Sequence, residues 1–168
     1  MPSDYYLQIG SSTSAAGGVT GESVNPNFLK QIELDSFSFG ASNPADVGGA
    51  GLSAGKCSLS EFSFTCALDS SSWQIVKDLY AGTHVDTCTF SGNKAGGGGS
   101  TYMYIQVVMT NCYITSQSTG GGGSGVPAQS VSIAYAQIEY QYYTQDTTKG
   151  TTTSAGTATY NITTGVNS

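Results

Sequence analysis

The chain has no arginine, five lysines and a single histidine in 168 residues, and its formal net charge is −6. Without a guanidinium fork there is no bidentate grip on phosphate or guanine. Without a basic run there is no electrostatic footprint for nucleic acid or an anionic lipid surface, so neither is expected as a partner. Long apolar runs are missing as well: none approaches the ~20 residues of a membrane-spanning helix, and no membrane insertion is expected. Met1 to Gly10 lacks the basic flank and apolar core of a secretory signal, so an exported protein of this sequence would leave the cell by another route. Charged residues of both signs make up only 10% of the chain. Strong surface helix formers are therefore scarce, and strands and turns must carry the fold.

What the chain has instead is 24 serines, 20 threonines, 23 glycines and 11 tyrosines. Its length suits one domain over residues 1–168, on a prior of about one domain per ~150 residues. Four cysteines, Cys57, Cys66, Cys88 and Cys112, include no Cys-x-x-Cys pair and have one histidine to assist them, so a metal site is not expected. Buried thiols and disulfides both remain open. If bridges form, Cys66 with Cys88 and Cys57 with Cys112 is the favoured pairing, because Cys66 shares the parity of Phe62 and Phe64 whereas Cys57 has the opposite parity.

The stretch Gln31 to Gly40, QIELDSFSFG, organises the rest. Phe37 and Phe39 take one parity and Ser36 and Ser38 the other, so a strand here buries rings on one face and shows hydroxyls on the other. Ile32 and Leu34 share the parity of the serines, which requires a bulge or strong twist near Asp35. Tyr5 to Gly10 reads as a first strand, and Ala41 to Gly55 as a long Gly-rich excursion without strand or helix pattern, a candidate for contacts with another molecule. Cys57 to Leu68 alternates as one long strand. Trp73, Ile75, Val76, Leu79 and Tyr80 follow at helical spacing, with Asp69 as a helix cap and Gly82 as the stop. Strands are expected over His84 to Phe90, Tyr102 to Ser118 and Ser130 to Gln145, with a change of parity midway through the last, and a short final strand over Thr157 to Thr164. The fold class that follows is mainly β: a closed β-barrel of two sheets with one short α-helix and a long Gly-rich extended loop.

Chemistry-bearing constellations are few. His84 and Asp86 share a strand face, but no nucleophile elbow accompanies them, so no hydrolytic triad is assigned and the chain is not expected to be an enzyme. Glu33 with Asp35, and Asp69 with Asp78, lack the oxygen rhythm of a calcium loop, and no cofactor is expected. Tyr102, Tyr104, Tyr135, Tyr140, Tyr142 and Tyr143 suit core and cross-strand pairs better than a sugar-stacking platform. Asn161-Ile162-Thr163 matches a glycosylation sequon of the kind that chance produces in a Thr-rich chain.

In order and spacing, YYLQIG, IELDSFSFG, the Gly-rich excursion closed by Lys56, SLSEFSFT, the Asp69 helix ending in Gly82-Thr83-His84, the turn Lys94-Ala-Gly-Gly, Ser116 to Gly121 and Tyr160-Asn161-Ile162 resemble the hemolysin-coregulated protein family, Hcp, over nearly the whole chain. The resemblance implies a subunit of hexameric rings that stack into the hollow inner tube of a type VI secretion system. Its partners would be copies of itself, with effectors in the lumen and a spike or sheath around the tube. Such a protein is assembled in the cytoplasm and then secreted. The resemblance also places Ser38, and by parity Ser36, on the channel wall, and gives Asn43, Pro44, Asp46, Val47 and Leu52 of the excursion to contacts between rings. A free-standing extracellular filament is an alternative that suits the missing arginines and possible disulfides. An exported glycan-binding module using its tyrosine faces is the alternative from another class.

Overall fold

The computed structural model describes residues 3–11, 18–46, 53–95, 101–146 and 151–168. In chain order these form β1 (Ser3–Ile9), β2 (Ile32–Leu34), β3 (Ser36–Ser38), β4 (Ala41–Ser42), β5 (Ala45–Asp46), β6 (Ser53–Ala54), β7 (Ser58–Leu59), β8 (Phe62–Ala67), α1 (Ser72–Ala81), β9 (Val85–Ala95), β10 (Thr101–Gly120), β11 (Ala128–Gln145), β12 (Thr152–Asn161) and β13 (Val166–Asn167). The fold is mainly β with one helix among the described residues.

The main antiparallel sheet runs β13-β12-β11-β10-β9-β1-β2, with β8 paired to both β11 and β3. The expected break at Asp35 is where β2 gives way to β3: Ile32 and Leu34 are buried, Ser36 and Ser38 are exposed. β2 pairs with β1 and β3 with β8, so no continuous ladder closes the sheet into the expected barrel. The two ends meet through the chain itself at Asp35, whose N–H donates to the Thr65 carbonyl at 2.8 Å.

Three strands change the face they bury at one common level. Val85, Cys112 and Tyr135 are cross-strand partners on one side of it, and Cys88, Met109 and Ile138 on the other, all buried. In β10 the change falls at Asn111, whose φ of 54° lies in the left-handed region that asparagine tolerates better than most residues. This is the parity change read from β11, now spread over its neighbours. It keeps both halves of these long strands turned towards one core that includes Leu7, Phe62, Phe90, Met109 and Ile133. Phe37 and Phe39 pack against that core, with the Phe37 ring 4.3 Å from Phe90 and the Phe39 ring 5.9 Å from Phe62.

Several sequence expectations are corrected. The strand read over Cys57 to Leu68 is broken at Ser60 and Glu61, because Ser60 turns aside to bond the Gly40 carbonyl through both its N–H and its hydroxyl. The excursion after Gly40 is not patternless: β4 pairs with β7 and β5 with β6, giving a two-step hairpin arm built on backbone bonds with no apolar face to announce it. Gly55 lies so close to Pro44 that a Cβ would fall 2.7 Å from its carbonyl oxygen. The last strand, expected over Thr157 to Thr164, runs instead from Thr152 to Asn161, and a further short strand, β13, follows it.

In α1 only Ile75 is buried, while Leu79 packs on the core. Trp73 and Tyr80 are 62% and 83% exposed, on an outward stripe with Val76 and Lys77. Helical spacing alone could not separate those two faces, since both carry apolar residues. Gly82, at φ 62°, ends the helix in the left-handed conformation with its N–H on the Leu79 carbonyl. The N-cap is Ser71 rather than Asp69, and Asp69 accepts from the Ser71 N–H at 2.9 Å instead, fixing the turn into the helix.

Candidate assembly surfaces

Strands β3, β8, the first third of β11 and the end of β10 stand side by side, and their outward residues fall into two rows. Ser36 faces Thr65, Thr65 faces Ser130, and Ser130 faces Ser118. One step along, Ser38 faces Ser63, Ser63 faces Ser132, and Ser132 faces Ser116. Neighbouring strands lie roughly 4.8 Å apart, so every residue in a row is within reach of the next. The rows are partly self-bonded, with 2.6 Å between the Ser36 and Thr65 hydroxyls and 3.0 Å between those of Ser63 and Ser132.

This wall depends on a bulge. Ile114 is buried, and strict alternation would turn Ser116 inwards with it; the register of β10 on β11 shifts between Ile114 and Ser116, and the serines point out. Thr115, the residue at the shift, bonds the Glu61 carboxylate at 2.8 Å and the Ser132 carbonyl at 3.2 Å. Sequence reading found Ser36 and Ser38 but missed Ser63, Thr65, Ser116, Ser118, Ser130 and Ser132. Their alternation within each strand was the available signal, and only the pairing puts them in line. A shallow concavity of about 480 Å³ lies over these residues.

Behind the wall the polar atoms are satisfied internally. Gln129, buried, donates from Nε2 to Cys66 Sγ at 3.3 Å and accepts from Gln117. Burial pushes the Cys66 thiol up to about 11, against the smaller opposing pull of the Gln129 bond. Tyr135 is likewise raised by burial to about 12, and its hydroxyl donates to the Ser60 carbonyl at 2.7 Å.

The wall sheet also has two unmatched edges. Among the described residues β3 pairs only with β8, and residues 113–120 of β10 pair only with β11, because β9 reaches no further than Cys112. Unpaired edges on both sides of one sheet are templates for another strand. The arm is the second projecting feature: Ala45 and Asp46 pair with Ala54 and Ser53, Asn43 and Pro44 are exposed at its base, and Val47 and Leu52 lie outside the described residues.

The remaining candidates are dispersed. All four cysteines are free thiols; Cys88 lies against Cys112, which together with burial raises the Cys88 thiol well above its ordinary value. The packing therefore pairs Cys88 with Cys112 and sets Cys66 against Gln129, not in the Cys66 to Cys88 and Cys57 to Cys112 arrangement inferred from parity. His84 bonds Asn111 at 3.2 Å and lies edge-on to Tyr113, while Asp86 is engaged by Ser11, whose hydrogen bonds hold its carboxyl below the ordinary value. The Asn161 amide donates to Gln137 and accepts from the N–H groups of Thr163 and Thr164, a turn device. Tyr135 is buried and Tyr140 and Tyr142 are 37% and 40% exposed. Among the described residues no group of three or more His, Cys, Asp or Glu side chains could hold a metal, and no helix is long and apolar enough to cross a membrane.

A family model described as "Type VI secretion system effector, Hcp" matches residues 6–142. No curated protein matches the chain by sequence. Among solved structures, a type six secretion system protein superposes with a TM-score of 0.87 at 23% identity, covering 99% of this chain and all of its own. Hcp1 from Salmonella typhimurium gives 0.76 at 21% identity with both chains fully covered. A type VI secretion system effector from Yersinia pestis gives 0.71 at 19% identity, over 94% of this chain and 99% of its own. At such identities these likenesses establish the fold.

Proposed function

This chain belongs to the Hcp family of the type VI secretion system, and from that premise we propose that it is a tube subunit whose hydroxyl wall lines the channel of a stacked ring. The observation that carries this reading is the four-strand sheet with rows of serine and threonine on one face, the aromatic core on the other, and an unpaired edge on each side. The two edges differ, so copies join head to tail, and a head-to-tail contact with the right rotation closes into a ring. In the ring, residues 113–120 of one copy lie beside Ser36 to Ser38 of the next, and the hydroxyl rows run on around the channel. The single unit over residues 1–168 then acts as a barrel segment closed through Asp35. The arm from Asn43 to Ala54 reaches the neighbouring ring and sets the stacking.

An uncharged wall suits a tube. Repeating any charge around a closed ring raises the repulsion between copies, and the two rows themselves carry none. Effectors held in such a lumen would meet hydroxyl groups, with little salt dependence. Assembly belongs in the cytoplasm, with secretion by expulsion of the tube, and the role is structural and not catalytic.

Electron microscopy of the purified protein tests the assembly, and a strictly monomeric species at high concentration overturns it. Labelling tests the wall: Ser38→Cys reacts with a small maleimide and is protected from a bulky one once tubes form. Equal reaction with both reagents in tubes removes Ser38 from the channel.

A further inference from the structure

The opposite end of the sheet holds a second concavity that tube assembly does not explain. It encloses about 420 Å³ over β1, β9 and β10, beside the loop that carries Asn27 and Phe28. Its floor is Ser91 and Asn93, 3% and 2% exposed, and Gln8, Gln31 and Gln106 stand around them. Among the described residues no aspartate, glutamate or lysine lines it.

Two polar atoms of this groove are buried without a hydrogen-bond partner, Asn93 Nδ2 and Gln31 Oε1. One is a donor and the other an acceptor. Gln31 donates from its Nε2 to Gln8 Oε1 at 3.4 Å, which leaves its own oxygen unmatched. Buried amides without partners are rare in folded proteins, and a water, an ion or a ligand can complete them. Phe28 forms one flank: its ring stacks on Tyr6 at 4.6 Å with planes 3° apart, which fixes its orientation. Tyr6 is in turn held by Asn25, whose Nδ2 donates to the Tyr6 hydroxyl at 3.1 Å.

A missing donor and a missing acceptor, further amides around them, no charge and an oriented aromatic ring describe a neutral ligand with many hydroxyls and an apolar face. We propose that this groove binds a pyranose unit of a neutral glycan, with Asn93 Nδ2 donating to one sugar hydroxyl, Gln31 Oε1 accepting from another, and Phe28 packing on the ring. A hydroxyl both donates and accepts, so sugar hydroxyls can answer an amide N–H and an amide oxygen alike, whereas a carboxylate or ammonium group would lose its hydration with no counter-charge in return. The inference stands apart from the tube, since it uses neither the wall nor its edges.

The test is titration of the full chain with the methyl glycosides of glucose, galactose and N-acetylglucosamine, followed by NMR shifts. At least one is expected to saturate with a dissociation constant on the order of 1 mM, with shifts centred on Gln31, Ser91 and Asn93. Asn93→Leu and Gln31→Leu should each weaken binding about tenfold, the loss of one hydrogen bond, while Gln141→Leu, outside the groove, leaves it unchanged. Gln31, at the rim and only half-buried, keeps the test alive if Asn93→Leu does not fold. Absence of shifts for all three glycosides at about 50 mM, or shifts that neither groove variant alters, overturns the proposal. Binding that vanishes when the protein assembles also overturns it, because the groove then belongs to a neighbouring copy.

Discussion

Strands β10 and β11 run side by side through two surfaces of opposite character. Where the end of β10 meets the start of β11, the outward residues are Ser116, Ser118, Ser130 and Ser132; where the start of β10 meets the end of β11, they are Gln106, Val108, Gln137, Glu139 and Gln141. A serine hydroxyl is short and can both donate and accept, so neighbouring serines can bond one another across strands and the row stays neutral. A glutamine amide reaches further and asks for both a donor and an acceptor, so amide-rich regions hold some groups unmatched, as Gln31 and Asn93 do. A neutral, partly self-bonded surface suits a channel wall repeated in every copy, and unmatched surface suits a separate ligand.

The comparison breaks most severely at the core that both surfaces share. Phe62 is fully buried and packs with Phe37, Phe39, Phe64 and Phe90, so Phe62→Ala should cost about 3–5 kcal/mol and is expected to unfold much of the protein in denaturant titration. A loss below about 1 kcal/mol would show that the ring cluster is not the support of the wall.

The next test separates the two surfaces. Ser132→Lys puts a charge into every repeat of the wall and should abolish rings, with the folded state retained by circular dichroism. Gln141→Lys, on the other surface of the same strand, should assemble normally. Equal behaviour of the two variants would dissolve the distinction. Milder still is the arm: replacing residues 43–54 by a tight turn is expected to leave rings and remove stacked tubes, and normal tubes from that deletion would refute its stacking role.

The smallest effect concerns Cys66, behind the wall. Its thiol titrates at about 11 when folded, above the ordinary value of 9.0, so the folded chain keeps a proton that the unfolded chain releases. Its contribution to stability is complete below pH 9 and declines as pH rises through 11. Cys66→Ala should flatten the fall in melting temperature across that window, and an unchanged slope would assign alkaline loss to other groups.

Much of this was written locally. The parity of Phe37 and Phe39 against Ser36 and Ser38, the forced break at Asp35, the switch within β11 and the stop at Gly82 all follow from side-chain periods of 2 and 3.6 residues, which neighbours in sequence impose on each other. So did the family likeness, carried by the order of those pieces. The arm hairpin was illegible because two-residue ladders made mostly of Ala and Ser leave no apolar alternation, and the outward Trp73 because a stripe of apolar residues does not say which side meets the sheet.

The wall itself was decided only by tertiary structure. Ser63 and Ser132 touch across 69 positions of sequence, and Ser116 joins their row only because the shift at Thr115 turns it outwards. The same holds for the amide groove, where Gln31 and Asn93 lie 62 positions apart in sequence. Periodicity fixes what each strand shows on each face. Which strands lie together, and in what register, is fixed by burying one continuous aromatic core, and that is a property of the whole chain.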